Sequence, residues 1–280
     1  MHKEGLGRTT HSMLENVNEK RQLLRALRRG AKNTLPRTLV RFIQQMRGRP
    51  VRQIPLGSVR FGDLRRFSPI SHNFGWDRGT PIDRYYIETF ISRNASDIRG
   101  RVLEIGDNLY TRQFGGTHVE RSDILSVEAS NPKATFVGDL TQLATLPESA
   151  FDCIVLTQTL QYIFDIPAAV ATLFRALKPG GILLLTVPSV RSQVDGRAWG
   201  ATWYWWFTSA AIRRLLEQLF QPDAVTVDTY GNIFVATAFH FGIALEELKP
   251  GELDRSDPEF PVIVAARAVK QKRPTALVAS

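Results

Sequence analysis

The sequence predicts an α/β fold: seven strands in a mostly parallel sheet, helices on both faces, and a basic helical arm at the N-terminus. Three observations predict it. From residue 101 onward, short apolar runs alternate with helical patterns, the mark of strands joined by crossover helices. The chain has 280 residues, 43% of them hydrophobic, which allows one large domain with an extension, or two small domains, to bury a sizeable core. The net charge of +9 is segregated. Residues 1–66 hold 16 Lys/Arg against 4 Asp/Glu, a net of +12, and the remaining 20 Lys/Arg and 23 Asp/Glu give −3.

The arm comes first. Residues 1–10 read as disordered. Residues 12–30 read as a helix, with Leu14, Val17, Leu24 and Leu27 near helical spacing, arginines between them, and Gly30 as a stop. A second helix is expected over 36–46, and Pro50, Pro55 and Gly57 then mark a loop. The stretch FGDLRRFSPISHNFGWDRGT (61–80) has no period and the composition of an ordered loop suited to a lid. PIDRYYIETFISRN (81–94) reads as a helix entered through Pro81. The division is therefore 1–60 arm, 61–270 catalytic-type domain with 61–100 as its lid segment, and 271–280 as a disordered tail.

The strands follow. RVLEIG, HVERSDIL, ATFVGDL and FDCIVLTQTL are four apolar runs, and KPGGILLLTVP is a turn feeding a fifth. AVTVDTY and FPVIVAARAV supply the last two. AAVATLFRAL is an apolar helix. TSAAIRRLLEQLF is an amphipathic one, with Thr208 as its cap and Ile212, Leu215, Leu216 and Leu219 on one face. The single cysteine, Cys153, excludes an internal disulfide and reads as a buried, inert thiol. No apolar run reaches the ~18 residues of a membrane span, and MHKEGLGRTT does not read as a secretory signal.

Ligands of open parallel sheets sit beyond the carboxyl ends of the strands, so the ends carry the chemistry. The first run carries Glu104 and Gly106. The second carries Asp123, 123 − 104 = 19 positions on, where a carboxylate can accept hydrogen bonds from both ribose hydroxyls. The third carries Asp139, placed to take the exocyclic amine of adenine, and the fourth carries Thr157 and Gln158. Each has a plainer reading: Asp123 as a helix cap, Asp139 as a turn residue, Glu104 paired with Arg101. Together, acids on successive strand ends suit a nucleoside with a cationic tail better than a phosphate. G-x-G-x-x-G and G-x-x-x-x-G-K-[ST] are missing, and five histidines with one cysteine show no metal spacing.

These residues carry a resemblance. RVLEIG, FDCIVLTQTLQYI and above all LKPGGILLLTVP resemble the core of the class I S-adenosylmethionine (SAM)-dependent methyltransferases, a Rossmann-like fold, and the similarity runs from about Pro81 to Lys270. RFGDLRR, FGWDRGTPIDRYYIE, TYGNIFVATAFHFGIALEEL and DPEFPVIVAARAV resemble a bacterial, type-11-like group often associated with glycosyltransferases. The resemblance implies SAM as cofactor. It implies Glu104 and Gly106 at the methionine end, Asp123 at the ribose, and Asp139 with Leu140 at the adenine, with Asp107, Thr157 and Gln158 as further cofactor-binding residues in the same crevice. One departure stands out: Gly106 is followed by Asp107-Asn108-Leu109-Tyr110 where the family has further glycines, so Asn108 is expected in a left-handed conformation.

No base is evident. Tyr85, Tyr86 and His72 are the catalytic candidates, whereas His118 lies before the second strand and His240 reads as structural. RAWGATWYWWFT, with Trp199, Trp203, Tyr204 and Trp205, is the expected acceptor wall or a packed apolar cap. The leading expectation is methyl transfer to a hydroxyl of a small-molecule or glycan acceptor by a cytoplasmic bacterial enzyme. The arm would reach a glycosyltransferase or an anionic inner-membrane surface. Two other readings are an RNA methyltransferase using the arm and a non-catalytic scaffold.

Overall fold

The computed structural model describes residues 54, 57–190 and 203–271. The chain separates into two units, Met1–Gly62 and Asp63–Ser280, and the fold below is that of the second. The helices expected over 12–30 and 36–46, and the tail from 272, lie outside the described residues.

Helix α1 (Ile82–Arg93) precedes strand β1 (Gly100–Ile105) and the short helix α2 (Leu109–Phe114). Strands β2 (Val119–Ser126), β3 (Phe136–Val137) and β4 (Phe151–Thr157) follow, then α3 (Ile166–Ala176) and β5 (Leu177–Pro188). Helix α4 (Ser209–Leu216), β6 (Val225–Tyr230), α5 (Ile233–His240), α6 (Pro250–Leu253) and β7 (Ile263–Val269) complete the unit. The seven strands form one sheet in the order β3-β2-β1-β4-β5-β7-β6. The first five run parallel, and β7 is antiparallel to both β5 and β6. This is the Rossmann-like, mostly parallel sheet that the sequence predicts. Order reverses between β1 and β4, which sets the crevice above their carboxyl ends.

Side chains alternate across the sheet because the strand period is two. Phe151, Ile154 and Leu156 of β4 face one apolar layer, with Leu173 of α3 and Ile212 and Leu216 of α4. Cys153 and Val155 face the other, with Ile87 and Phe90 of α1 and Val235 of α5. Burial pushes the Cys153 thiol far above its ordinary range. Truncating a fully buried side chain such as Leu173 in these layers costs about 2–5 kcal/mol.

The caps follow the sequence. The Thr208 hydroxyl accepts from Ala211 N–H at 3.1 Å, and the Asp165 carboxylate accepts from Ala168 N–H at 3.1 Å. Three details differ from expectation. Strand β5 starts at Leu177, ahead of KPGG, and its pairing with β4 slips there, so the turn is an excursion within the strand. Helix α4 ends at Leu216, so Leu219 and Phe220 lie beyond it, the first 39% exposed and the second buried. Asn108 has φ −126°, and Gly106 at φ +84° makes the turn after β1 instead.

Candidate functional site

The residues past the strand ends form the site. Gly106 leaves β1 with its N–H still on the ladder, donating to Leu125 O at 2.8 Å. A Cβ placed on it would meet no atom within 4 Å. The backbone there lies open beside the crevice, in a conformation that glycine adopts without strain. Asn131 Nδ2 donates to Gly106 O at 2.8 Å and ties this turn to the loop after β2.

Glu104 stands one residue before the end of β1 and is 2% exposed. Its carboxylate accepts from Tyr110 N–H at 3.1 Å, Thr111 N–H at 2.8 Å and the Thr111 hydroxyl at 2.7 Å. It therefore caps α2, favourably placed at the positive end of the helix. Burial raises its pKa, opposed by the bonds from Thr111 and Tyr110. Asp107 is exposed on the rim, and its Oδ1 accepts from Leu109 N–H at 3.1 Å.

Asp123 is not where the spacing argument puts it. It lies opposite Leu103 inside the β1–β2 ladder, three residues short of the end of β2 at Ser126. Its side chain is wholly buried and accepts from Arg101 Nε at 2.6 Å and Arg121 Nε at 3.2 Å. The plainer pairing of Glu104 with Arg101 is likewise replaced, because Arg101 serves Asp123 and lies over the Phe151 ring at 4.9 Å. The exposed acid just past β2 is Glu128, two residues beyond Ser126. Asp139 is exposed two residues past β3, its Oδ1 accepting from Thr141 N–H at 2.8 Å, and Leu140 beside it is buried.

Thr157 ends β4. Gln158 follows at φ +45°, with its N–H on Thr186 O at 2.9 Å. Among the described residues, the buried Gln158 Nε2 and Gln161 Oε1 have no hydrogen-bond partner. Both glutamines line a cavity of about 500 Å³ over the ends of β1, β4 and β5, floored by Ile105, Thr157 and Pro188. Helix α1 roofs it with Asp83, Arg84, Ile87 and Glu88, and Phe74, Trp76, Tyr162 and Trp203 form an aromatic wall. Trp203 stacks on Phe74 at 6.3 Å and meets Tyr162 edge-on at 5.2 Å. Burial raises the pKa of the Asp83 carboxyl, with Arg84 pulling the other way. Asp83, Arg84, Gln161, Phe74 and Trp76 are not singled out by sequence reasoning. Only the face of α1 turned to the strand ends identifies the first two.

The catalytic candidates lie elsewhere. Tyr85 and Tyr86 point from the opposite face of α1 into a second cavity of about 460 Å³. The Tyr85 hydroxyl donates to the Asp254 carboxylate, and Tyr86 OH donates to Leu253 O at 3.0 Å. His72 is exposed and is not part of the cavity lining. Of the acceptor candidates, Trp199 lies outside the described residues. Trp205 donates Nε1–H to Ile163 O at 3.0 Å and packs on the core, and Tyr204 turns outward against Phe164. Of the three that are described, Trp203 is the one that lines the cavity. No group of three or more His, Cys, Asp or Glu among the described residues could hold a metal ion.

A family described as a methyltransferase domain matches residues 82–224. No curated protein matches the chain. Solved structures are similar in fold. An Archaeoglobus fulgidus SAM-dependent methyltransferase is 14% identical, covers 67% of this chain and 94% of its own, and has a TM-score of 0.46. The N-methyltransferase NodS of Bradyrhizobium japonicum is 18% identical over 69% of this chain and 98% of its own, with a TM-score of 0.42. A Thermotoga maritima methyltransferase titled a possible histamine N-methyltransferase is 17% identical over 68% and 94%, with a TM-score of 0.43.

Proposed function

The chain belongs to the methyltransferase-domain family and is a SAM-dependent methyltransferase, and from that premise we propose that it methylates a hydroxyl oxygen of a small-molecule or glycan acceptor. The observation that carries the acceptor class is the cavity of about 500 Å³, within the range of small-molecule sites, with an aromatic wall opposite polar strand-end groups. Aromatic faces suit the apolar faces of sugar rings.

The residues fit the cofactor. The open backbone at Gly106 admits the methionine end beside Asp107, and the unpartnered Gln158 Nε2 offers a donor in the same crevice. In our reading Glu128 takes the ribose hydroxyls in place of Asp123, and Asp139 with Leu140 takes the adenine. Bound SAM supplies a methyl group already activated on a sulfonium. The chain's own residues then need to align the acceptor, exclude water and receive its proton. Asp83 is the group for that last task. It lines the cavity, and its raised pKa makes it a better proton acceptor than an ordinary carboxylate.

No helix among the described residues is long and apolar enough to cross a membrane. We assign the arm, residues 1–60, to holding the enzyme at an anionic surface or a glycosyltransferase on the cytoplasmic side, because residues 1–66 carry a net charge of +12. Calorimetric titration with SAM and with S-adenosylhomocysteine, followed by a screen of sugars with mass-spectrometric detection of one added methyl, tests the reading. Micromolar cofactor binding and O-methylated product are expected. A folded protein that binds neither ligand, or a product methylated only on nitrogen or carbon, overturns it.

A further inference from the structure

The helix that follows β1 has no free amide at its start for an anion. The first N–H groups of a helix usually serve that purpose. In α2 they are already taken. Leu109 N–H donates to Asp107 at 3.1 Å, and Tyr110 and Thr111 N–H donate to Glu104 at 3.1 and 2.8 Å. Two carboxylates thus stand at the point where the family's extra glycines would expose backbone amides. An incoming carboxylate would meet like charge there, with the first amides of α2 already engaged.

A cation faces this end of the site from the opposite element. Arg84 of α1 lines the same cavity as Ile105 and Asp107. Its Nη1 donates to Tyr110 OH at 2.6 Å, and its guanidinium lies 5.6 Å from the centre of the Trp76 ring. Among the described residues its side chain makes no other hydrogen bond, which leaves most of the five guanidinium donors uncommitted. The Tyr110 hydroxyl fixes the head of Arg84 over the β1 end, and Trp76 holds its plane.

We propose that Arg84 is the anchor for the α-carboxylate of the SAM methionine tail, serving where the first amides of α2 are already engaged by Asp107 and Glu104. The inference rests on the SAM-dependent reading above. Guanidinium and carboxylate match as a two-pronged, charge-assisted pair. Tyr110 is the positioning residue, because it acts on the carboxylate only through Arg84. An acidic acceptor is the other source of a carboxylate in this cavity, and a titration without acceptor isolates the carboxylate of SAM.

Calorimetry with SAM and with decarboxylated SAM, which lacks only that carboxylate, is run on the wild type, Arg84→Met and Arg84→Lys. Met keeps the apolar stem against Trp76, and circular dichroism checks that each variant is folded. Arg84→Met is expected to weaken SAM about 10- to 100-fold while decarboxylated SAM changes by less than about threefold, with Arg84→Lys recovering part of the loss. Equal weakening of both ligands would reduce Arg84 to a wall residue. No change with either ligand would overturn the inference alone, since Arg84 would then take no part in holding SAM. A folded wild type that binds neither ligand brings down the SAM reading and this inference together.

Discussion

Carboxylates inside the strands and carboxylates past their ends behave as two separate populations. Glu104 and Asp123, within β1 and β2, are almost wholly buried, and each is engaged by donors of the fold itself. Asp107, Glu128 and Asp139, in the turns that follow β1, β2 and β3, are exposed on the crevice side of the sheet. Residue type is the same, but location decides function. An acid buried among donors it fully satisfies holds the fold together, and one beyond the last ladder bond remains available to a ligand.

The comparison breaks first, and with the largest expected effect, at Asp123. Asp123→Ala leaves Arg101 and Arg121 facing an emptied, buried position, and urea unfolding should show about 2–3 kcal/mol less stability. The folded variant should still bind SAM. A stable Asp123→Ala protein that has lost SAM would reverse the assignment. Glu128→Ala should do the opposite, leaving the urea midpoint unchanged while weakening SAM about 10- to 100-fold. Asp139→Ala should give a smaller loss of the same kind, about three- to tenfold, because one amine replaces two hydroxyls as partner.

The smallest effect concerns Asp83, which lies between the two populations, half-buried in the first turn of α1 and lining the cavity. Its folded pKa is raised by burial, so the native state keeps this proton to higher pH than the unfolded chain does. Its contribution to stability is present below the ordinary carboxyl range and is lost as pH rises through the folded pKa. Unfolding midpoints for Asp83→Asn should therefore gain on the wild type from about pH 4 to pH 8. Parallel curves for the two proteins would mean that the carboxyl sits in water.

The architecture was legible because its signals are local. KPGG, Thr208 as a cap and the alternation of runs with helices each act over a few residues. The site was legible only in part. The spacing argument misplaces Asp123 because a strand buried on both faces has no period to show where it stops, and Ile124, Leu125 and Ser126 carry β2 past it. Sequence reasoning singles out the tyrosines of α1 and passes over Asp83 and Arg84, and α1 is flanked by cavities on two faces. Nothing in its own sequence says which face meets the strand ends. The left-handed turn that the sequence predicts at Asn108 is made by Gly106.

Cys153 has a practical consequence. It is the only thiol in the sequence, it is 0% exposed, and it sits in β4 with strands paired on either side. A thiol reagent added to the native protein cannot meet sulfur at the surface, so its rate of reaction records how often the central sheet comes apart. The molecule thus carries a built-in clock for its own opening, readable without adding a label elsewhere, and a ligand that tightens the crevice should slow it.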